Sequence, residues 1–189
     1  MPRCVQLTFL ASFLALCWLA FLAVHELGHV LAAWMTGGVV SYVVLHPLKL
    51  SMTVLADNPH PGCVGWGGPV FGILAPFCSY AIANALRSSQ THLFRFFCGF
   101  CCVGNGVYLL VDAFAQSGDG ATLIHAGTAK WAIVLFGATA TPAGFWLWHG
   151  QSRHFGFGPA ARKIEAGDAI VSVLLLIGVT GLELACSSV

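Results

Sequence analysis

The chain has 189 residues, of which 58% are hydrophobic and only 8% are charged. A soluble domain carries about 25% charged residues, so this composition excludes an ordinary soluble protein and indicates an integral, multi-pass membrane protein. Lys and Arg number 8 against 7 for Asp and Glu, which gives no basic field for binding nucleic acid. We therefore expect one membrane-embedded domain over residues 1–189, with an all-α polytopic fold of about five transmembrane helices and the lipid bilayer as its surroundings.

The first predicted element is a helix over an apolar run from about Leu7 to Met35, which Gly37-Gly38 ends. The run is too long for a cleaved signal peptide. It contains the pentad His25-Glu26-Leu27-Gly28-His29, in which two histidines lie one helical turn apart and project from one face, with Glu26 beside them. This is the arrangement of a zinc-protease helix, at membrane depth, where ionisable residues are rare and usually functional. A structural polar cluster is the alternative.

The next stretch, from Val39 to about Leu55, changes to a period of two. Leu48, Leu50, Met52 and Val54 alternate with polar residues, and His46-Pro47 separates them from an earlier apolar segment. This pattern predicts two short strands in a β-hairpin. A sheet edge is not stable in hydrocarbon, so the hairpin should pack against helices, line a wet cavity or lie at the interface. Its free edge could accept an extended substrate strand.

The remaining apolar runs predict four more spans. The second begins with closely spaced glycines, which permit close helix contact, and a glycine-containing segment over residues 116–120 should break the chain after the third. The predicted spans are Cys63–Leu86, Leu93–Ala115, Thr128–Trp148 and Ala169–Ala185. We take residues 7–125 as the core of the domain and the last two spans as additions to it.

The basic residues predict which way the chain crosses the membrane. With a cytoplasmic N terminus, six of them fall in cytoplasmic segments and two outside. The six are Arg3, Arg87, Arg95, Arg153, Arg162 and Lys163, and the two are Lys49 and Lys130. Because Lys and Arg favour the cytoplasmic side, this orientation is expected.

A catalytic zinc site needs a third protein ligand besides His25 and His29, with water in the fourth position. Asp119 is the first candidate, because the glycines beside it would let a short side chain reach another helix. Asp112, inside the third span, is the alternative, and Asp119 would then be an ordinary turn residue. Six other histidines lie near predicted span ends and are expected at the surface or the interface: His46, His60, His92, His125, His149 and His154.

The chain resembles the site-2 protease family of intramembrane zinc metalloproteases, in its compact, divergent branch without accessory domains. The resemblance rests on the histidine pentad, on Gly67-Gly68-Pro69, and on Asn105 followed by Asp119-Gly120, and it covers roughly residues 9–123. It implies that Asp119 completes the metal site and that Asn105 helps to hold the substrate or the reaction intermediate. It also implies the opposite orientation of the first helix from the one that the charges favour.

These observations predict a zinc metalloendopeptidase that hydrolyses peptide bonds in or near the membrane. Zn²⁺-activated water would be the nucleophile and Glu26 the general base, and the substrate would be a membrane protein or peptide. One alternative is a membrane thiol oxidoreductase that uses Cys98 and Cys101. Another is a non-catalytic zinc-binding membrane protein or transporter.

Overall fold

The computed structural model describes residues 3–49 and 51–186. Within these ranges, five helices are long and apolar enough to cross a membrane. The elements in chain order are α1 (Arg3–Met35), β1 (Val39–Val44), β2 (Met52–Asp57), α2 (Pro61–Ala85), α3 (Thr91–Ala115), α4 (Gly118–His125), α5 (Lys130–Trp148), a 3₁₀ turn (Ser152–Phe155) and α6 (Ala166–Cys186). The predicted all-α polytopic fold, with a short hairpin after the first helix, is confirmed.

Helix α1 is the central element of the fold. Its 33 residues correspond to roughly 50 Å, which exceeds the roughly 30 Å of bilayer hydrocarbon. It packs along both α2 and α6. Near its beginning, Phe9 and Phe13 are buried against Phe155, and the Ser12 hydroxyl donates a hydrogen bond to Ser172 of α6 at 2.9 Å.

The hairpin is antiparallel, with Val44 opposite Met52 near its turn. The predicted strand from Leu48 was too long, because the His46 ring accepts the Leu48 N–H at 3.1 Å and the His46 carbonyl accepts the Lys49 N–H at 3.2 Å. These bonds fold residues 46–49 into a turn, and β2 begins at Met52. Leu50, which belonged to the predicted alternation, lies outside the described residues.

The hairpin folds back along α1 instead of extending away from it. The Thr53 hydroxyl of β2 lies 2.7 Å from the Glu26 carboxylate. Glu26 is nine residues from the end of α1, which places it roughly 14 Å along the helix from Met35. The hairpin is therefore packed against a helix, which was one of the three environments expected for it.

The predicted helix break over residues 116–120 is shorter in the structure. Gln116 adopts a left-handed conformation with φ of 53° and ends α3, and Gly118 follows with φ of 49°. These two residues reverse the chain, so that α4 begins at Gly118 and Asp119 lies in its first turn. Leu123 then anchors α4 in a buried cluster with Leu109 and other apolar residues. This short helix was not predicted from the sequence.

Successive crossings place the beginning of α1, the α2–α3 turn and the α5–α6 connection at one end of the bundle. Two hydrogen bonds show these segments together: Gln6 donates to the Phe155 carbonyl at 3.0 Å, and Arg95 donates to the His149 carbonyl at 3.1 Å. The hairpin and α4 belong to the other half. Most of the chain's Lys and Arg residues thus gather at one end, and the absolute orientation stays a prediction.

Candidate metal centre

Three side chains from two distant parts of the sequence converge between α1 and α4. Asp119 Oδ2 lies 3.0 Å from His25 Nε2 and 3.2 Å from His29 Nε2. The two Nε2 atoms are 3.1 Å apart. His25, His29 and Asp119 form a group that could hold a metal ion, with all three donor atoms within 4.8 Å of one another.

The second nitrogen of each imidazole fixes which ring nitrogen carries the proton. His29 Nδ1 lies 2.7 Å from the Val64 carbonyl oxygen, which only accepts, so Nδ1–H donates. His25 Nδ1 lies 2.8 Å from Asn105 Oδ1, and the Asn105 amide nitrogen donates to the Cys101 carbonyl at 2.9 Å. In its neutral form, each ring therefore directs an Nε2 lone pair into the group. Such outer contacts orient metal-binding histidines in general.

The donor set fits a divalent cation. Two imidazole nitrogens and a carboxylate oxygen face one another, and a metal cation or a proton on Nε2 offsets their repulsion. Zinc–ligand distances of about 2.0–2.2 Å place neighbouring atoms of a tetrahedral site roughly 3.3 Å apart. The three separations here, 3.0, 3.1 and 3.2 Å, are close to that value. The two histidines and Asp119 fit zinc as three protein ligands with one position left for water.

The charge of Asp119 agrees with this arrangement. Burial by itself raises the pKa of the carboxyl group, but hydrogen bonds from the His25 and His29 rings, when these are protonated at Nε2, outweigh it and hold the pKa well below its usual range. Asp119 is consequently an anion at neutral pH, as a metal ligand must be. Its side chain is 17% exposed, so the centre has contact with the outside of the protein.

Gly68 of α2 leaves the space between the imidazoles open. A Cβ at this position would collide with His29 Nε2 and lie 2.8 Å from His25 Nε2. Nearby, a Cβ at Gly67 would lie 2.6 Å from the Gly28 carbonyl oxygen, so α1 and α2 cross in direct backbone contact. Close helix contact was the expected role of this glycine-rich stretch. Leaving space beside the histidines is a second role, which the spacing of the glycines in the sequence did not predict.

Gly68→Ala is expected to weaken zinc binding by about 10- to 100-fold, the usual cost of disturbing the surroundings of metal ligands. The added methyl group would occupy the space between the Nε2 atoms. Zinc titration of the purified protein measures the effect. Gly62→Ala is the matched control on the same helix, because its Cβ would make only an ordinary contact with Ala126 at 3.5 Å. Equal zinc affinity in both variants would contradict the assignment.

Glu26 is buried beside the group formed by His25, His29 and Asp119, with 4% exposure. Its carboxylate accepts the hydrogen bond from Thr53 at 2.7 Å. Thr53 was not singled out from the sequence, since only the packing of the hairpin brings it to Glu26. The contact holds the carboxylate in one orientation and connects the hairpin to the centre.

Asp112, the alternative ligand, has a different position. Its carboxylate accepts hydrogen bonds from the Ser117 hydroxyl at 2.9 Å and from the Gly120 N–H at 3.4 Å. The Tyr108 hydroxyl accepts the Asp119 N–H at 3.4 Å. Asp112 therefore lies against the beginning of α4 and fixes the segment that carries Asp119, while Asp119 itself faces the histidines.

Asn105 is fully buried, and both polar atoms of its amide are engaged with His25 and Cys101. These contacts favour a role in orienting His25 over the substrate-holding role that the resemblance implies. The six remaining histidines are exposed or half-buried, and within the described residues none belongs to a group that could hold a metal.

The cysteines of the third span lie inside the protein. Cys98, Cys101 and Cys102 are 5% exposed or less, and they are free thiols. Redox-active cysteines are at least partly accessible, so this burial disfavours the thiol oxidoreductase alternative.

Comparison with known proteins gives no relative: no family model matches the chain, and no curated protein or solved structure is significantly similar to it. The resemblance to site-2 proteases thus rests on the residues named above.

Proposed function

We propose that this protein is a zinc-dependent intramembrane protease of the site-2 protease type. The observation that carries the proposal is the convergence of His25, His29 and Asp119 beside the buried Glu26, inside a bundle of apolar helices. Two histidines and an aspartate supply three zinc ligands, and an adjacent glutamate supplies the base, so this set is able to support peptide hydrolysis at a zinc site.

His25, His29 and Asp119 would hold the zinc ion. When bound, zinc supplies a Lewis acid that makes water nucleophilic at neutral pH and polarises a carbonyl. Glu26 accepts the proton of the attacking water and delivers it to the leaving amine, as a general base and then a general acid. Thr53 keeps the Glu26 carboxylate in place, while Asn105 and the Val64 carbonyl keep the two imidazoles in place.

The hairpin supports the same function. A peptide bond in a membrane helix is shielded by its own backbone hydrogen bonds, so a substrate must be extended before it is cleaved. Because the hairpin has two strands and contacts Glu26 through Thr53, an unpaired strand edge close to the centre would hold an extended substrate by β-augmentation.

Replacing residues 51–54 by Gly and Ser, with Thr53 kept, should reduce cleavage by at least tenfold without loss of zinc, because the extended substrate would lose its pairing partner. The measurements are zinc content and the cleavage rate of a transmembrane peptide. Unchanged cleavage would rule out substrate pairing at this strand.

The proposed activity itself is tested by removing the metal. The purified protein in detergent is incubated with a library of single-span transmembrane peptides, and the products are identified by mass spectrometry. We expect cleavage within apolar segments that stops after zinc is chelated and returns when zinc is added back. Cleavage that persists in zinc-free protein, or no cleavage by fully zinc-loaded protein, would contradict the proposal.

A further inference from the structure

A second feature, at the end of the bundle away from the hairpin, is a cavity of about 600 Å³ between α1, α3 and α6. This is within the range of about 300–1,000 Å³ that small-molecule sites occupy. It does not include any residue of the candidate metal centre. Binding of a ligand in this cavity is therefore independent of the proposed function.

The cavity wall changes character along its length. Its deeper part is lined by apolar side chains of α1 and α3, including Phe13, Leu16 and Phe97. Along α1 the lining extends from Phe9 to Ala20, a rise of roughly 16 Å, which is about half of the hydrocarbon thickness. The apolar part thus has the depth of one membrane leaflet.

The cavity opens sideways toward the lipid. Three of its lining residues, Phe94, Val171 and Leu175, are 40%, 57% and 54% exposed. They belong to α3 and α6, and α6 packs chiefly along α1. A molecule already in the bilayer could enter between α3 and α6 without passing through water.

Polar groups line the opposite end of the cavity, where α3 and α6 begin. Arg162 lies 3.4 Å from His92 and 3.6 Å from Asp168, and its side chain is 42% exposed. An ion pair so long and so exposed contributes little, and it leaves the guanidinium able to bind another anion.

Positive charge exceeds negative charge around this polar end. The cationic side chains are Arg95, Arg153 and Arg162, which all act on His154 of the cavity wall, and the acidic ones are Glu165 and Asp168. The excess of positive charge acts on the His154 ring, which stacks on the His92 ring. Burial and the nearby guanidinium groups of Arg153, Arg162 and Arg95 lower the pKa of His154.

We infer that this cavity binds an anionic phospholipid, with one acyl chain along α1 between α3 and α6 and the phosphate at Arg162. Basic pockets between membrane helices bind acidic lipid headgroups in this way. The leaflet-deep apolar wall selects a lipid over a soluble anion, and the excess of cations selects an acidic headgroup over a neutral one.

The test uses the full-length protein in a neutral detergent and native mass spectrometry. Dioctanoyl phosphatidylglycerol, dioctanoyl phosphatidylcholine and glycerol phosphate are added separately at equal concentrations. We expect one bound phosphatidylglycerol, at least fivefold weaker binding of phosphatidylcholine, and no retained glycerol phosphate. Equal binding of the two lipids, or equal binding of glycerol phosphate, would overturn the inference.

Two matched pairs of variants locate the site. Arg162→Gln should reduce phosphatidylglycerol binding about fivefold, the effect of one basic residue near a lipid headgroup. Lys163 is exposed and lies outside the cavity lining, so Lys163→Gln should leave the binding unchanged.

Gly167→Leu should weaken the binding of both lipids by partly filling the cavity, whereas Gly178→Leu on the same helix should not. Both glycines have open space where a Cβ would lie, so the first carbon of either new side chain meets no neighbouring atom. Identical effects within either pair would place the lipid elsewhere.

Discussion

Glu26→Gln is expected to reduce peptide cleavage by about 10²- to 10⁴-fold, the usual contribution of a general base, while zinc content stays unchanged. The amide is nearly the same size as the carboxylate and still accepts the Thr53 hydrogen bond, but it does not take up the proton of water. Glu26 is not among the three donors that face one another at the centre. The measurements are zinc content and the rate of transmembrane-peptide cleavage.

Glu165→Gln is the matched control, because Glu165 is exposed near the beginning of α6 and far along the chain from the centre. It should cleave at the wild-type rate. A non-catalytic zinc-binding protein would instead cleave no peptide, either as wild type or in the two variants. Full activity in Glu26→Gln would remove Glu26 from the mechanism.

Asp119→Ala is expected to abolish stoichiometric zinc binding, because it removes one of three ligands from the centre. Asp112→Asn should bind zinc about 10- to 100-fold more weakly, since it disturbs the hydrogen bonds that hold the beginning of α4 without removing a ligand. Zinc titration distinguishes the two results, and thermal unfolding shows whether each variant remains folded. If Asp119→Ala bound zinc normally and Asp112→Asn did not, Asp112 would be the zinc ligand and Asp119 would not.

Local periodicity was enough to predict much of this architecture. The long apolar runs predicted the five spans, because the bilayer requires continuous hydrophobic segments whatever their tertiary partners. Helical geometry likewise put His25 and His29 on one face, since residues four apart on a helix are neighbours. The alternation after Val39 predicted the hairpin, though not that a turn at His46 shortens its second strand.

Whether Asp119 or Asp112 faces the histidines depends on the backbone conformation between α3 and α4, which hydrophobic periodicity does not predict. The left-handed conformations of Gln116 and Gly118 reverse the chain after α3, and this reversal directs Asp119 toward α1. A glycine-containing segment indicates that the chain turns but not in which direction the next helix leaves. The sequence therefore left both carboxylates open.

The groups that orient His29 and Glu26 also could not be predicted from the sequence. The Val64 carbonyl that holds His29 is a backbone group, which any residue supplies. Thr53 reaches Glu26 only because the hairpin folds back on α1, and Gly68 leaves room above the imidazoles only because α1 and α2 cross there. Each of these contacts depends on tertiary packing between segments that are far apart along the chain.

The most direct test of the account is X-ray absorption spectroscopy at the zinc edge of the purified wild-type protein. Two imidazole nitrogens and at least one oxygen, at about 2.0–2.2 Å from zinc, are the expected ligands, with no sulfur ligand near 2.3 Å. The spectrum of His29→Ala should show no protein-bound zinc. Zinc coordinated by cysteine sulfur, or wild-type protein that binds no zinc, would contradict the assignment of His25, His29 and Asp119 as a metal centre.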